Sequence, residues 1–241
     1  MQQLTGQAYV ERYGHEWNVF EAAKEYVDRT DTEAEQRADA FHTLVGLVPH
    51  EAKDAIRVLD IGSGQGTAAA YLLDGFPNSR AVGLDVSEPM RQIATERMAR
   101  YGDRFRYHLG DFVDGTLPND MGGAFDVVVS SRAIHHLPTA KKQLLYTAIF
   151  QNLKPGGSFF NLDNVPPQEQ YLRARYRDAG TVLRGEKVDY SAPPSNRPST
   201  PGHYWDSLAE HLRMLTEAGF SPVDCFWRRL AITLIGGYRP A

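Results

Sequence analysis

The sequence predicts an α/β fold in which a mostly parallel β-sheet is covered by helices on both faces and ends in an antiparallel hairpin. Three observations support this prediction. Short apolar segments alternate with helical segments over residues 56–163, a glycine-rich turn follows the first of them, and two apolar segments near the C-terminus are only three residues apart. Strands that alternate with helices form parallel sheets through right-handed crossovers, whereas a three-residue link allows only antiparallel pairing.

The first 50 residues predict helices. Good helix formers fill residues 20–26, and apolar side chains recur at helical spacing over residues 33–48, namely Ala34, Ala38, Phe41 and Val45. We therefore expect residues 1–50 to form a helical cover of the same domain. Residues 51–241 are expected to form the main domain, with a lid insertion at about 164–204.

Five apolar segments predict the parallel strands: residues 56–61, 81–85, 105–109, 125–130 and 158–163. The fourth segment is the richest in β-branched residues and predicts a central strand that is covered on both faces. Helices are predicted between the strands: over residues 67–73, after an N-cap at Ser87, and over residues 139–153, where Lys154-Pro-Gly-Gly157 ends the helix.

The C-terminal part departs from this alternation. About 40 residues separate the fifth strand from a helix that begins near Trp205, and they include the Pro- and Ser-rich stretch 193–201. A loop of this length in a compact domain is usually functional or disordered. Segments 223–227 and 231–235 predict the hairpin, with Cys225 as a small core residue inside it.

Length, composition and charge exclude several classes of protein. With 241 residues, of which 42% are hydrophobic, the chain has the size of one large domain and the composition of a globular protein. A net charge of −4 and the lack of a Lys/Arg block argue against a nucleic-acid partner. No apolar stretch reaches the roughly 20 residues of a membrane helix, and a single cysteine suits a reducing compartment. We expect a cytoplasmic protein without membrane contact.

The turn Gly62-Ser-Gly64-Gln-Gly66 is the most informative motif, because glycines between a strand and a helix let a ligand approach bare backbone and the helix N-terminus. One interpretation of this motif is that the glycines are needed only for close packing of the strand and the helix. A dinucleotide site is another, since Asp85 follows Gly66 by 19 residues, but such sites carry G-x-G-x-x-G. The additional carboxylate of Asp60 would repel a pyrophosphate and attract an adenosine ligand with an amino group and a sulfonium.

Five segments together resemble a known family. Residues 59–66, 83–87, 110–112, 125–130 and 153–157 look like the successive motifs of class I S-adenosylmethionine-dependent methyltransferases, and they occur in the same order. The resemblance covers residues 56–163, and the final helix and hairpin match the reversed seventh strand of that fold. It implies a Rossmann-like seven-stranded sheet, S-adenosylmethionine as cofactor and S-adenosylhomocysteine as product.

The resemblance also implies which residues hold the cofactor. The turn residues would contact its methionine part with Asp60 near the amino group, and Asp85 would bind both ribose hydroxyls. Other residues would flank the adenine, the sulfonium or the N-terminal cover. The implied set is Tyr26, Asp60, Gly62, Ser63, Gly64, Gly66, Asp85, Val86, Met90, Gly110, Asp111, Phe112 and Ser130.

Candidate catalytic residues follow the fourth strand. Arg132 would face the sulfonium and the acceptor, and His135 or His136 could act as a general base or orient the acceptor. Adjacent side chains point in different directions, so we expect at most one histidine in the pocket. The eight histidines show no metal-ligand spacing, so no metal site is predicted. Cys225 lies away from any strand's carboxyl end, which disfavours a thiolate mechanism.

Aromatic and basic residues near the predicted lid are candidates for substrate binding. An acceptor with a carboxylate and an aromatic or apolar body would suit them, although a solvated helix face is the alternative interpretation. The candidates are Tyr9, Tyr13, Trp17, Tyr171, Arg173, Tyr176, Arg177 and Tyr204.

The resemblance and the residues together favour a methyltransferase that acts on an O, N, S or C atom of a small-molecule acceptor, as a monomer or homodimer. Three alternatives stay open at this point. The chain could modify the cofactor itself, serve as a non-catalytic cofactor-binding partner subunit, or be a nicotinamide oxidoreductase.

Overall fold

The computed structural model describes residues 17–121, 124–189 and 202–241. Seven strands form one sheet: β1 (Arg57–Ile61), β2 (Arg80–Asp85), β3 (Phe105–Leu109), β4 (Phe125–Ser131), β5 (Leu153–Asn164), β6 (Val223–Arg229) and β7 (Ile232–Tyr238). Their order across the sheet is β3-β2-β1-β4-β5-β7-β6. Strands β1 to β5 pair in parallel, and β7 is antiparallel to both β5 and β6. The predicted fold class is therefore confirmed.

Seven helices accompany the sheet in the described residues: α1 (Phe20–Thr32), α2 (Ala34–Leu47), α3 (Thr67–Gly75), α4 (Glu88–Arg97), α5 (Thr139–Asn152), α6 (Gln170–Leu183) and α7 (Leu208–Ala218). The Ser87 side chain accepts a hydrogen bond from the Met90 backbone N–H and caps α4, as the sequence predicts. None of the helices in the described ranges is long and apolar enough to cross a membrane.

The core lies on both faces of the sheet because successive side chains of a buried strand point to opposite sides. Val58 of β1 belongs to the cluster beneath α2 and α3, where Phe41 and Leu72 are buried. Its neighbour Leu59 belongs to the opposite cluster beneath α5 and α7, together with Tyr146. The apolar run of β1 is thus explained by burial on both faces.

The site is positioned by the order of the central strands. Ile61 at the end of β1 pairs with Leu84 of β2 on one side and with Ser130 of β4 on the other. The chain proceeds from β1 outward to β2 and β3, then returns to the other side with β4. The point between β1 and β4 is therefore a topological switch point, where ligands of open α/β sheets bind at the carboxyl ends of the strands.

The antiparallel end of the sheet differs in detail from the prediction. Strands β6 and β7 are longer than their apolar cores and leave a two-residue turn, in which Leu230 has a φ of +56°. Gly236 has no Cβ, and this allows β7 to approach β5 closely. A Cβ at this position would lie 2.0 Å from the Phe159 carbonyl oxygen. Cys225 lies in β6, as predicted, but its side chain is only partly buried.

Strand β5 begins five residues before its predicted apolar segment. Leu153 already pairs with Phe125, and the ladder is irregular between Phe125 and Val127 before it continues along the apolar part. Long-range pairing thus extends the strand through Lys154-Pro-Gly-Gly157, where the sequence predicts only the end of the preceding helix. The Lys154 ammonium also binds Asp126 of β4 at 2.8 Å, which stabilises this early part of the strand.

Candidate active site

A pocket lies at the carboxyl ends of β1, β2 and β4, where the topology predicts a ligand. It encloses about 650 Å³, part of it open to solvent, which is within the range of small-ligand sites. Its walls combine apolar side chains with a few polar groups. The lining residues are Trp17, Tyr26, Gly62, Gly64, Asp85, Val86, Met90, Asp111, Phe112, Val113, Ser131, Arg132, Ala133, His136 and Leu137.

The glycine turn forms the floor of the pocket. Gly62 has a φ of +65°, and a Cβ at this position would lie 2.1 Å from the Cβ of Ala133. The Gly62 backbone N–H donates to the Leu84 carbonyl oxygen at 2.8 Å. Glycine is therefore required both by the left-handed backbone and by the close contact with the segment after β4.

Asp85 lies at the end of β2 and faces this turn. Its Oδ2 accepts a hydrogen bond from the Gly64 backbone N–H at 2.8 Å, and its Oδ1 accepts one from the Ser87 backbone N–H at 3.0 Å. Burial raises the pKa of its carboxyl, although these backbone donors oppose the rise. The carboxylate lines the pocket, where its oxygens can accept further hydrogen bonds from a vicinal diol.

Asp60 is buried beneath the turn and does not line the pocket. Its Oδ2 accepts hydrogen bonds from the Ser63 hydroxyl at 2.9 Å and the Ala69 backbone N–H at 3.2 Å. Its Oδ1 is buried with no hydrogen-bond partner among the described residues. Burial raises the pKa of this carboxyl to about 7. A buried carboxylate oxygen that lacks a donor suits a cationic group above the turn, so the site fits an amino-bearing adenosine ligand.

The opposite wall carries the residues expected around an adenine. Val86, Met90, Asp111 and Phe112 all line the pocket. The Asp111 Oδ1 accepts a hydrogen bond from the Val113 backbone N–H at 2.8 Å, which shapes this loop. Val113 itself lines the pocket and was not expected from the sequence.

Four further residues of the implied cofactor set lie behind the lining. Ser63 is buried and donates its hydroxyl to Asp60. Gly110 donates its backbone N–H to the Asp85 carbonyl oxygen. Gly66 packs under Met98, where a Cβ would lie 2.8 Å from the Met98 side chain. Ser130 donates its hydroxyl to the Ile61 carbonyl oxygen inside the sheet, and its neighbour Ser131 lines the pocket instead.

Aromatic rings from the N-terminal part close one side of the pocket. Trp17 packs edge-on against Tyr26 with ring centroids 4.9 Å apart, and burial raises the pKa of Tyr26. The Arg132 guanidinium lies 5.6 Å from the centre of the Tyr26 ring and binds Glu33 at 2.7 Å. Arg132 has a φ of +58°. The α1 segment and the turn after β4 are therefore joined at the pocket.

The two adjacent histidines have different surroundings, although their ring centroids are only 4.2 Å apart. His136 lines the pocket, and its Nδ1 lies 3.0 Å from the Gly202 carbonyl oxygen. His135 is buried, and its Nδ1 lies 2.6 Å from Asp163 Oδ1. Although burial alone raises it, the hydrogen-bonded and electrostatic contact with His135 holds the pKa of Asp163 well below its usual range. Only His136 is thus placed to act inside the pocket.

His203 and Trp205 join these histidines, and neither is among the predicted site residues. Ring nitrogens of His135, His136 and His203 lie within 4.8 Å of one another. The Trp205 ring stacks on His135 at 5.1 Å and on His203 at 5.2 Å, measured between ring centroids. No local spacing could reveal this group, because His203 follows His136 by 67 residues in the chain.

The expected substrate residues are mostly away from the pocket. Trp17 lines it, whereas Tyr9 and Tyr13 lie outside the described residues. Helix α6 has no buried residue, and the lining does not include its Tyr171, Arg173, Tyr176 or Arg177. Tyr204 is half exposed, but its backbone N–H donates to the His135 carbonyl oxygen at 2.8 Å. The main chain of Tyr204, rather than its ring, is therefore tied to the site.

The fold and this pocket define a Rossmann-like α/β domain with a nucleoside-type site at its switch point. Comparisons with known proteins identify the class further. Residues 58–157 match the family model described as a methyltransferase domain. An O-methyltransferase family protein from Burkholderia thailandensis superposes with a TM-score of 0.66 at 18% identity, over 95% of this chain and 62% of that one.

Two curated relatives show the range of the sequence matches. TcmO, the tetracenomycin polyketide synthesis 8-O-methyl transferase of Streptomyces glaucescens, is 28% identical over 76% of this chain and 48% of its own length. The ribosomal RNA small subunit methyltransferase H of Prochlorococcus marinus is 38% identical over 32% of this chain and 25% of its own length. The chain thus spans about half or less of these relatives. These findings confirm the resemblance to the class I S-adenosylmethionine-dependent methyltransferases.

Proposed function

We propose that the chain transfers the methyl group of S-adenosylmethionine to a small-molecule acceptor. One observation carries this proposal: Asp85 and the bare backbone of Gly62 and Gly64 line one pocket, and the unsatisfied oxygen of Asp60 lies beneath the same turn. A diol, a close-lying methionine part and an amino group are the features of the cofactor that these groups would recognise. A pyrophosphate, by contrast, would approach two buried carboxylates and be repelled.

The bound cofactor would supply an electrophilic methyl group, and the C–S bond electrons return to sulfur as the acceptor's lone pair forms the new bond. The chain's own contribution is to position the acceptor and exclude water, because such in-line displacements gain most from near-attack geometry. Trp17 and Tyr26 form an aromatic wall on one side of the pocket. Arg132 is held on this wall by Glu33.

His136 is the residue best placed to orient the acceptor or take its proton. With Nδ1 donating to the Gly202 carbonyl oxygen, its Nε2 carries the lone pair. A hydroxyl, thiol or protonated amine acceptor would lose its proton to this nitrogen. His135 contributes indirectly, since its ring is fixed by Asp163 and packs at 4.2 Å from His136 between centroids.

A small-molecule acceptor is favoured over a nucleic acid by charge. The chain has a net charge of −4, and the pocket presents Asp85 and Asp111, which is unfavourable for a polyanion. Of the two curated relatives above, TcmO has the longer alignment, and it is named as a polyketide O-methyltransferase. Helices α1 and α2 would serve as the cover and the segment at about 164–204 as the lid, in a cytoplasmic monomer or homodimer.

The first experiment is a calorimetric titration of the purified chain with S-adenosylmethionine and S-adenosylhomocysteine, with NAD as the control. We expect both sulfur ligands to bind at micromolar concentration and NAD not to bind. Methyl transfer from labelled cofactor is then measured against two panels, one of hydroxylated small molecules and one of RNA and proteins. Binding of NAD alone would contradict the cofactor, and transfer only to the second panel would contradict the acceptor class.

A further inference from the structure

We propose that His135, His136 and His203 form a binding site for a transition-metal dication beside the cofactor pocket. This inference goes beyond the proposed function, which needs only the cofactor pocket and one acceptor. Two of the ligands come from the turn after β4, and the third comes from the segment before α7. All three bring a ring nitrogen to within 4.8 Å of the others.

The spacing of the three rings suits a tetrahedral ion. Their centroids are 4.2 Å, 4.9 Å and 4.8 Å apart, which is close to an equilateral triangle. Three imidazoles around a tetrahedral ion with metal–nitrogen bonds of about 2.0–2.1 Å have centroids roughly 5 Å apart. The rings of His135 and His203 are nearly parallel, at 6°, so the His203 ring must rotate for the three nitrogens to converge.

Hydrogen-bond partners of His135 and His136 determine which ring nitrogen is available to a metal. His135 Nδ1 is engaged by Asp163 Oδ1 at 2.6 Å, and His136 Nδ1 by the Gly202 carbonyl oxygen at 3.0 Å. Both contacts hold the proton on Nδ1, so Nε2 of each ring carries the lone pair. A carboxylate or carbonyl behind a ligating imidazole is the usual way in which proteins fix its tautomer and raise its basicity.

The groups around His135 hold its ring in place. Asp163 is 2% exposed and also accepts the His135 backbone N–H at 3.0 Å, so both ends of this residue are fixed. Trp205 stacks on two of the rings and covers them on one side. On the other side His136 lines the cofactor pocket. An ion held by three histidines would keep a fourth position for water or for an acceptor oxygen.

The donor set selects the class of metal. Three neutral imidazoles with one open position favour Zn²⁺, Co²⁺, Ni²⁺ or Cu²⁺ over Mg²⁺ and Ca²⁺, which take oxygen ligands. An acceptor hydroxyl that coordinates the ion would release its proton to solvent more readily, since the metal stabilises the oxyanion. His136 would then act as a ligand rather than as the proton acceptor.

The test is a titration of the chain, freed of any affinity tag, with Zn²⁺ alone. We expect one Zn²⁺ per chain. We also expect affinity to fall at least about tenfold in His203→Ala and about tenfold in Asp163→Asn, which loses the carboxylate behind His135. His42→Ala is the matched control, because His42 is an exposed histidine of α2 outside the cluster. Thermal unfolding of each variant verifies that it folds.

Co²⁺ provides the second measurement, because tetrahedral nitrogen coordination gives intense visible absorption that octahedral aqueous Co²⁺ lacks. Absence of Zn²⁺ binding, binding that His203→Ala does not weaken, or a Co²⁺ spectrum without the tetrahedral band would each overturn the site. Titration with S-adenosylhomocysteine in parallel reports the cofactor pocket alone. Retained binding of that ligand without Zn²⁺ binding would reject the metal site and leave the proposed function standing, and the converse result would reject the cofactor pocket.

Discussion

The backbone N–H of Gly64 donates to the carboxylate of Asp85 at 2.8 Å, so the turn after β1 is fastened to the end of β2. The hydrogen bond joins the turn, which would contact the methionine part of the proposed cofactor, to Asp85, which would contact its ribose. It holds the carboxylate toward the pocket before any ligand enters, and it orders the turn at the same time. Pre-organisation of this kind reduces the ordering cost of binding.

Asp85→Ala should weaken the affinity for S-adenosylhomocysteine by about 2–3 kcal/mol, because two charge-assisted hydrogen bonds to the ribose are lost. Calorimetric titration measures the change. Asp74→Ala is the control, since Asp74 lies in α3 and forms a solvent-exposed ion pair with Arg100. An Asp85→Ala variant that binds as tightly as the wild type would remove Asp85 from the ribose site.

Binding of the cofactor should strengthen as pH rises toward neutrality. The pKa of Asp60 is raised to about 7 by burial, so the carboxyl is protonated below that pH and ionised above it. An amino group above the turn favours the ionised form. Affinity for S-adenosylhomocysteine should therefore fall by up to about tenfold for each pH unit below 7.

Two controls isolate the contribution of Asp60 to this pH dependence. Methylthioadenosine lacks the amino acid part of the cofactor, so its affinity should change little over the same range. Asp60→Asn should flatten the profile of S-adenosylhomocysteine as well. A slope that survives in Asp60→Asn would assign the titration to another group.

Gly62→Ala should disrupt the pocket. The added Cβ would meet Ala133 at 2.1 Å on a backbone with a φ of +65°, so the turn and the segment after β4 must separate. Gly156→Ala is the matched control, because its φ is +76° but no atom lies within 4 Å of the added Cβ. The control should cost about 1–2 kcal/mol of unfolding free energy from backbone strain alone.

Urea denaturation and titration with S-adenosylhomocysteine distinguish the two glycine variants. Gly62→Ala should lose more stability than Gly156→Ala and also lose affinity for the ligand. Equal stability and equal affinity in both variants would show that the contact between Gly62 and Ala133 is not needed to shape the floor.

Lys142→Met should destabilise the fold by about 3 kcal/mol, because it leaves the buried carboxylate of Asp206 without its cation. The Lys142 ammonium is fully buried and contacts Asp206 and the Tyr204 carbonyl oxygen. Arg213→Ala removes an exposed i,i+4 ion pair with Glu217 and should change stability by less than about 1 kcal/mol. Urea denaturation compares the two, and a similar small loss in both would contradict the importance of the buried pair.

The same pair predicts an acid dependence of stability. Burial raises the pKa of Asp206, but the hydrogen bonds from Lys142 and Thr139 and the charge of Lys142 outweigh it. The pKa therefore lies below its usual value. A lowered native pKa contributes stability that is present above the unfolded pKa of about 3.9 and is lost as pH falls through the native value. The wild type should therefore lose this contribution in acid, and Asp206→Asn should not.

Much of the fold could be predicted because its signals are local. The β-branched run of β4, the N-cap at Ser87 and the glycine turn each determine their own conformation within a few residues. The position of the pocket residue Asp85 follows from the same local signals and the parallel sheet, whereas Met90 is implied by the family resemblance. Asp85 lies at the carboxyl end of a strand, where ligands of open α/β sheets bind.

The remaining features depend on contacts between distant segments. Ser130 and Ser131 differ only in the face of β4 that they occupy, and the actual strand end decides which one lines the pocket. The early start of β5 comes from pairing with β4 rather than from its own residues. His203 reaches the site from a segment without regular structure, so neither periodicity nor motif could place it.

The position of Trp17 against Tyr26 at the pocket wall gives the protein an intrinsic optical reporter. Indole emission depends on the polarity and the quenchers around the ring, so an occupied pocket should shift or quench the fluorescence of Trp17. Trp205 stacks on His135 beside the site and would report together with Trp17. Trp227 lies elsewhere, with its indole N–H bonded to Asp39 at 2.8 Å, and provides a background that ligand should not alter. Occupancy of the site can therefore be followed in real time, without a label, as the fast phase of a stopped-flow trace.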